Sequence, residues 1–274
     1  MTEERNGREV RMPSLETPRI AGVYHAALGS AMTSQADRAT SDALREQVPD
    51  YRNFVHQNRA FVRRAVYEFM RMGIDQFIDF GCGQPGIGSV YELVRRHNPH
   101  ASIVHVDIDP IVVETVKRVI CTDSRSAVLH ADLVHATSIF EHPAVQTLIE
   151  LDRPVGMIAG AVFHSVPNTR HLTAALRAYF TFVPAGSALA ASHASGDTLS
   201  PAQLKAALAL LAEAGITVVS RSKDEFQSLL GPWRLTHDGV EPLHLWRPDP
   251  DTVNLGAIEP AVDSLGYGAI ATKP

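Results

Sequence analysis

The stretch Gln76-Phe77-Ile78-Asp79-Phe80-Gly81-Cys82-Gly83-Gln84-Pro85-Gly86 changes its period abruptly: a strand-like run of five residues ends in three glycines spaced Gly-x-Gly-x-x-Gly. A helix is expected beyond the glycines, from about Gly88 to His97. Strand, glycine turn and helix N-terminus together make a cradle for a nucleotide-like ligand, because glycine lets the backbone approach where a Cβ would collide. The glycine spacing is a weak signal alone. Its place between strand and helix gives it content.

Downstream, the alternation repeats. Ile103-Val104-His105-Val106 reads as a second strand, Pro110 to about Ile120 as a helix with proline in its first turn, and Ala127-Val128-Leu129-His130 as a third strand. Val155 to Gly160, a helix over about 170–182, and Ala188 to Ala191 continue the pattern. Ser200-Pro201-Ala202-Gln203 has capping-box spacing and opens a Leu/Ala-rich helix running to Gly215, and Ser222 with Glu225 repeats that signal. Trp233 to Thr236 and Tyr267 to Ala271 complete the set as two last strands. Strands alternating with helices predict an α/β fold, Rossmann-like, with a mainly parallel seven-stranded sheet and an antiparallel last strand. Upstream, Phe54, Phe61, Ala65 and Phe69 recur at helical spacing from Tyr51 to Met72, with arginines on other faces. The expected organisation is a loose lead over residues 1–13, a helical lid over 14–72 and the core over 73–274, in one domain.

Composition excludes several partners. The 274 residues carry 25 basic and 30 acidic side chains, so no positive field is offered to a nucleic-acid backbone. The longest apolar run, Val155 to Phe163, falls far short of the roughly 20 residues that span a bilayer, and the first 20 residues contain no signal-peptide core. Only Cys82 and Cys121 are present, too few for a disulfide framework or a cysteine zinc site. The expectation is a cytoplasmic protein that acts on a small molecule, binds neither membrane nor nucleic acid, and holds no metal; its oligomeric state is left open.

The acids around the glycines separate two candidate ligands. A dinucleotide fingerprint expects its ribose acid about 20 residues beyond the glycines. Asp107 stands 26 residues after Gly81, and an additional acid, Asp79, precedes that glycine. Both features favour S-adenosylmethionine over a nicotinamide cofactor. Acids at the ends of strands one and two, with a third in Ala131-Asp132-Leu133, are similar to the arrangement of class I methyltransferases. Asp107 then accepts the ribose hydroxyls, Asp132 the adenine amine, and Asp79 meets the aminoacyl end; Gly81, Gly83, Ile108 and Leu133 complete the expected cofactor set. A nicotinamide oxidoreductase, and a protein that binds S-adenosylmethionine without transferring its methyl group, stay open as alternatives.

Further stretches make the likeness specific: Asn58-Arg59-Ala60-Phe61, Val106-Asp107-Ile108-Asp109-Pro110, Arg153-Pro154-Val155, Phe163-His164, Ser192-His193-Ala194, Leu245-Trp246-Arg247-Pro248 and Tyr267-Gly268. Spread over nearly everything after Thr17, they resemble a bacterial family of S-adenosylmethionine-dependent methyltransferases long catalogued as a domain of unknown function. The resemblance implies a class I methyltransferase fold with N-terminal helices over the cofactor. It carries no substrate. Where that family reads Tyr-Asp-Tyr-x-Leu-Gly-Gly-Lys-Asp-Asn, this chain reads Tyr24-His25-Ala26-Ala27-Leu28-Gly29-Ser30-Ala31-Met32-Thr33. Loss of the Lys-Asp-Asn group from a lid would suit an apolar substrate.

His164, after the fourth strand, is the first candidate for general base or for orienting the nucleophile, with His193 after the fifth strand and Tyr24 in the lid as further catalytic candidates. Arg59 is a candidate partner of the aminoacyl carboxylate.

Overall fold

A computed structural model describes residues 16–248 and 265–274; the lead expected at residues 1–13 lies outside them. Three helices come first: α1 (Ile20–Ala27), α2 (Gln35–Gln47) and α3 (Tyr51–Arg71). The alternating region follows as β1 (Gln76–Phe80), α4 (Val90–His97), β2 (Ser102–Asp107), α5 (Pro110–Val119), β3 (Ser126–His130), α6 (Ala136–Phe140), α7 (Pro143–Leu148), β4 (Gly156–Ala159), α8 (Thr169–Phe182) and β5 (Ala188–Ala194). The described chain closes with α9 (Pro201–Glu213), α10 (Lys223–Leu229), β6 (Arg234–Leu235), β7 (Glu241–Pro242) and β8 (Gly266–Thr272).

One sheet joins the strands in the order β3-β2-β1-β4-β5-β8-β6, with β7 also paired to β8. The first five are parallel, and β8 runs antiparallel to β5 from Ala188↔Thr272 to Ala194↔Gly266. Strand order reverses on either side of β1, since β2 lies on one flank and β4 on the other. In an open parallel sheet this switch point leaves a crevice beyond the carboxyl ends of the strands, where ligands bind. Asp79, Asp107 and the turn after β1 all face that end.

Local signals explain most boundaries. Gly73 ends α3 with φ +81°, donating its N–H to Met70. Ser200 with Gln203 and Ser222 with Glu225 form the expected capping boxes, and Ser34 with Asp37 forms a third at α2. Eight strands are present among the described residues where seven were expected, because Glu241–Pro242 adds a two-residue pairing that carries no sequence signal. The strand expected over 233–236 is two residues long, and the short helices α6 and α7 have too few turns to show a periodicity.

All three N-terminal helices contribute residues to the crevice. Helix α3 belongs to the core: Phe61, Ala65, Val66 and Phe69 are fully buried, and each large side chain so covered stabilises the fold by about 1.5–3 kcal/mol. It lies so close to the sheet that a Cβ at Gly156 would come within 2.7 Å of Phe69, and one at Gly268 within 2.7 Å of Phe61. Its Tyr51, Phe54, Asn58, Arg59 and Val62 also line the crevice, and α1 and α2 lie over it. They are tied down by Asp37, fully buried, which accepts from the backbone N–H groups of Arg19 (2.8 Å) and Ser34 (3.1 Å). The Arg19 guanidinium pairs with Asp37 at 3.4 Å and reaches Asp109 at 3.5 Å, linking the N-terminal helices to the loop after β2.

Candidate cofactor and acceptor site

A single cavity of about 460 Å³ opens beyond the strand ends, and its two halves differ in chemistry. One half is built by the loops after β1, β2 and β3. Gly81 and Gly83 both have positive φ, +60° and +64°. A Cβ at Gly81 would lie 2.4 Å from Val162, whereas one at Gly83 would meet nothing closer than 3.9 Å, so that position is room left for a ligand. Asp107 accepts from the N–H of Gly83 and of Asp109, both at 2.9 Å, which fixes its carboxylate beside the glycine turn. Burial pushes its pKa up, against the lowering effect of those two bonds. Asp79 is buried beside it and meets His105 Nδ1 at 3.0 Å across the β1–β2 register.

Asp132 holds its own loop through the N–H of Val134 at 3.0 Å and lines the same half, with Leu133 beside it. Ile108 also lines the cavity although it is 64% exposed. Its apolar side chain stands uncovered beside three carboxylates. On the lid side, Arg59 lines the cavity, donates to Gly88 O at 3.3 Å and lies 5.5 Å from the Tyr24 ring, while its buried Nε has no hydrogen-bond partner. An uncovered apolar side chain, a glycine with vacant space above it, acceptors at the strand ends and an orphaned guanidinium nitrogen fit a nucleoside with an amino-acid tail.

The other half has an apolar helical wall. Leu44 and Val48 of α2, Tyr51 and Phe54 of α3, Leu204, Leu208 and Leu211 of α9, and Leu265 form it, and the residues that line the cavity beyond β4 and β5, among them Ser165, Asn168, His171, Ser195 and Ser220, include no Asp, Glu, Lys or Arg. The expected substitution of polar lid groups by Ala31 and Met32 does not supply this surface: Met32 is 80% exposed, and the loop 30–33 does not line the cavity. The apolar wall comes from helices much farther along the chain.

His164 sits where these halves meet. It is buried, and its Nδ1 accepts the N–H of Ala194 at 3.4 Å. Burial, then the neighbouring His193 and Arg221, pushes its pKa down to about 3. The ring is therefore neutral near pH 7 with its proton on Nε2, the form of a hydrogen-bond donor rather than of a general base. His193 does not line the cavity. Its Nδ1 bonds Ala194 O at 2.5 Å and its Nε2 faces Arg221 at 3.0 Å, so both nitrogens are engaged in the wall, and burial lowers its pKa to about 4. Tyr24 lines the cavity, but its hydroxyl donates to Val55 O (3.1 Å) and accepts from Asn58 (2.8 Å), and burial raises its pKa. That arrangement holds a helix rather than moving a proton.

Two residues outside the expected set matter. Arg221 is a buried guanidinium bonded to the carbonyls of Phe163 (3.1 Å) and Val166 (2.8 Å) and to the Thr169 hydroxyl (3.1 Å), which fixes the loop carrying His164. His25, on α1, lines the cavity beside Arg59. Neither follows a strand, and His25 lies in the Tyr24–Thr33 stretch where this chain departs from the pattern of the family it resembles. Asp79, Cys82 and His105 also offer one donor atom each within 4.8 Å of one another. Burial and the nearby carboxylates hold the Cys82 thiol protonated, and Asp79 and His105 already bond each other.

A doubly wound sheet with an antiparallel last strand, carboxylates at the ends of β1 and β2 and a glycine turn between them is the architecture of a class I S-adenosylmethionine-dependent methyltransferase. Among solved structures, a candidate methyltransferase from Thermobifida fusca YX aligns with a TM-score of 0.84 and 30% identity, covering 95% of this chain and 97% of its own. A DUF574 family protein from Streptomyces avermitilis MA-4680 gives 0.86 and 26%, covering 95% and 99%. The plantazolicin methyltransferase BpumL, at 11% identity and a TM-score of 0.54 over 92% and 95%, shares the fold alone. No curated protein matches the chain. The family model described as S-adenosyl methyltransferase matches residues 8–274, and the chain belongs to that family. Its cofactor is S-adenosylmethionine, and the nicotinamide alternative falls away. No described helix is long and apolar enough to cross a membrane.

Proposed function

We propose that this methyltransferase acts on a small, uncharged acceptor with a largely apolar body. The observation that carries the reading is the division of one cavity into a carboxylate-lined half and a half without charged side chains. A charged group on the acceptor would be stripped of water there without a partner, at a cost of several kcal/mol. An apolar body recovers about 25 cal/mol for each Å² it buries.

S-adenosylmethionine supplies a methyl group already activated on a sulfonium. The protein's tasks are to hold acceptor and donor in line and to exclude water. In this reading Asp107 holds the ribose hydroxyls, Asp132 the adenine amine, Ile108 and Leu133 the faces of the base, and Asp79 the aminoacyl end. His164 donates from Nε2 to an acceptor oxygen and so orients it, with Arg221 behind the wall and Asn58 within it as positioning residues. Asn58 does this through Ser192, whose hydroxyl bonds its Oδ1 at 2.5 Å and accepts the Ala161 N–H at 2.8 Å. Ala161 has φ +55°, a strained backbone at the start of the His164 loop. With no base of ordinary pKa at His164, the acceptor group must be one that releases its proton readily, such as a phenol or a thiol.

The test is transfer of a labelled methyl group to a panel of apolar phenols and thiols alongside charged amines and carboxylic acids. Labelled product is expected from the uncharged, apolar members, and Leu208→Arg should abolish it while leaving S-adenosylhomocysteine affinity within about threefold. Methylation confined to the charged members would overturn the reading.

A further inference from the structure

We infer that His25 and Arg59 together form a receptor for one carboxylate, and that the aminoacyl carboxylate of the bound cofactor adds a tie between helix α1 and the core. The inference rests on the cofactor placement proposed above. It concerns a residue that no part of that placement uses.

His25 is 8% exposed, lines the cavity, and has a buried Nδ1 without a hydrogen-bond partner. A buried polar nitrogen left unpaired costs about 1–3 kcal/mol, so a fold retains one where a ligand completes it. Its Nε2 lies 3.3 Å from where a Cβ at Gly86 would stand, which puts the ring over the glycine turn. A side chain at that point would press on the ring, which would have to give by a few tenths of an ångström. Arg59 approaches the same turn from α3 through Gly88 O, and its Nε is likewise buried and unpaired. Among the described residues Arg59 has no acidic partner; the Tyr24 ring is its neighbour instead.

Two nitrogen donors on two different helices thus meet over a turn that carries no carboxylate of its own. The four acids that line the cavity, Asp79, Asp107, Asp109 and Asp132, are already turned toward backbone N–H groups or His105. A cation and an imidazole with unmet hydrogen-bonding capacity are complementary to an anion, and a carboxylate can accept from both at once. The placement matters for motion. His25 belongs to α1, which is held to the core by the buried Val23, by the Tyr24 hydroxyl on Val55 and Asn58, and by the Arg19 link to Asp109 just before the helix. A carboxylate bridging His25 to Arg59 would add a further tie across the cavity mouth, and only when cofactor is bound.

The probes are S-adenosylhomocysteine and 5′-methylthioadenosine, which shares the nucleoside thioether and lacks the aminoacyl tail. Titration calorimetry of wild type, His25→Ala, His25→Asn and Arg59→Ala reads both affinities. In His25→Ala the affinity for S-adenosylhomocysteine should fall about tenfold, as expected for one lost hydrogen bond to a charged group. Methylthioadenosine affinity should be unchanged, which also certifies that the variant is folded. His25→Asn, which retains a donor, should stay within about threefold of wild type. In the wild type, amide exchange over residues 20–27 should slow with S-adenosylhomocysteine and not with methylthioadenosine. Equal losses for both ligands in His25→Ala, or no loss for either, would overturn the inference while leaving the cofactor site standing. Failure of the wild type to bind either ligand would instead remove the cofactor placement, and this receptor with it.

Discussion

Gly22→Ala is the sharpest test of how the N-terminal helices are held. Gly22 lies inside α1, where alanine is ordinarily favoured over glycine by about 1 kcal/mol. The structure predicts the opposite sign. A Cβ at residue 22 would fall 2.3 Å from Asp37 Cγ and 2.3 Å from its Oδ2, more than about 1 Å inside van der Waals contact. Asp37 cannot retreat, since it is fully buried and held by Arg19 and Ser34. Overpacking costs about 1–3 kcal/mol, and a backbone donor left unpaired by a shifted carboxylate costs about 1–3 kcal/mol more. A net loss of about 3 kcal/mol follows, or roughly a hundredfold in the opening equilibrium of α1 and α2. Native-state hydrogen exchange should show residues 20–27 accelerated by that factor while the amides of β1, β2 and β4 change far less. The double variant Gly22→Ala/Asp37→Ala should be no less stable than Asp37→Ala alone, because the clash disappears with the carboxylate. A Gly22→Ala variant within about 0.5 kcal/mol of wild type, or costs that simply add in the double variant, would refute the reasoning.

Two other outcomes follow from the same geometry. Asp107→Asn should weaken S-adenosylhomocysteine binding about 10- to 100-fold by calorimetry, since it removes charge from the proposed ribose acceptor, and it turns an amide N–H toward the Gly83 or Asp109 donor; unchanged affinity would remove Asp107 from the cofactor set. The pH dependence of stability has a definite sign: His164 and His193 have folded pKa values depressed to about 3 and about 4, so the unfolded chain binds more protons below its ordinary histidine pKa of about 6.5. Their contribution is complete above about pH 6.5 and is lost as the pH falls toward 4, up to about 1.4 kcal/mol per pH unit for each histidine. Arg221→Met, which removes the smallest of the effects that lower both values, should bring that loss to an end at a higher pH in urea titrations between pH 5 and 3, and an unchanged end point would discount the electrostatic role.

What could be read from the sequence was set by the range of the interaction. Asp79, Gly81, Gly83 and Asp107 are joined through the turn between adjacent elements, and short-range signals of strand, glycine and helix start locate them. The capping boxes at Ser200 and Ser222 are equally local. The acceptor half is different: Leu44 and Leu208 come to one wall because α2 packs on α9, and nothing in either helix announces the other. The same distance hides Arg221, whose carbonyl partners lie 55 to 58 residues earlier, and Asn58, bonded to Ser192 across 134 residues. His193 was expected after the fifth strand, but β5 runs on to Ala194 and pairs His193 with Tyr267, so its ring belongs to the sheet while His164 stands on the loop after β4. Strand alternation beyond β5, where the chain starts to reach back, could not settle that.

The last strand has a consequence for how the protein comes into being. β8 enters between β5 and β6, and Ser195, at the acceptor wall, bonds backward to Leu265. During synthesis the end that carries the glycine turn, from β1 to β3, has all its partners long before residues 266–272 emerge, whereas β5 waits with one edge bare. A ribosome that has passed the loop after β3 has thus supplied the carboxylates of one half of the cavity while the other still lacks a side. Interrupting translation between those points would yield a chain with much of its parallel sheet in place and an exposed strand edge, the condition under which nascent proteins seek unwanted neighbours.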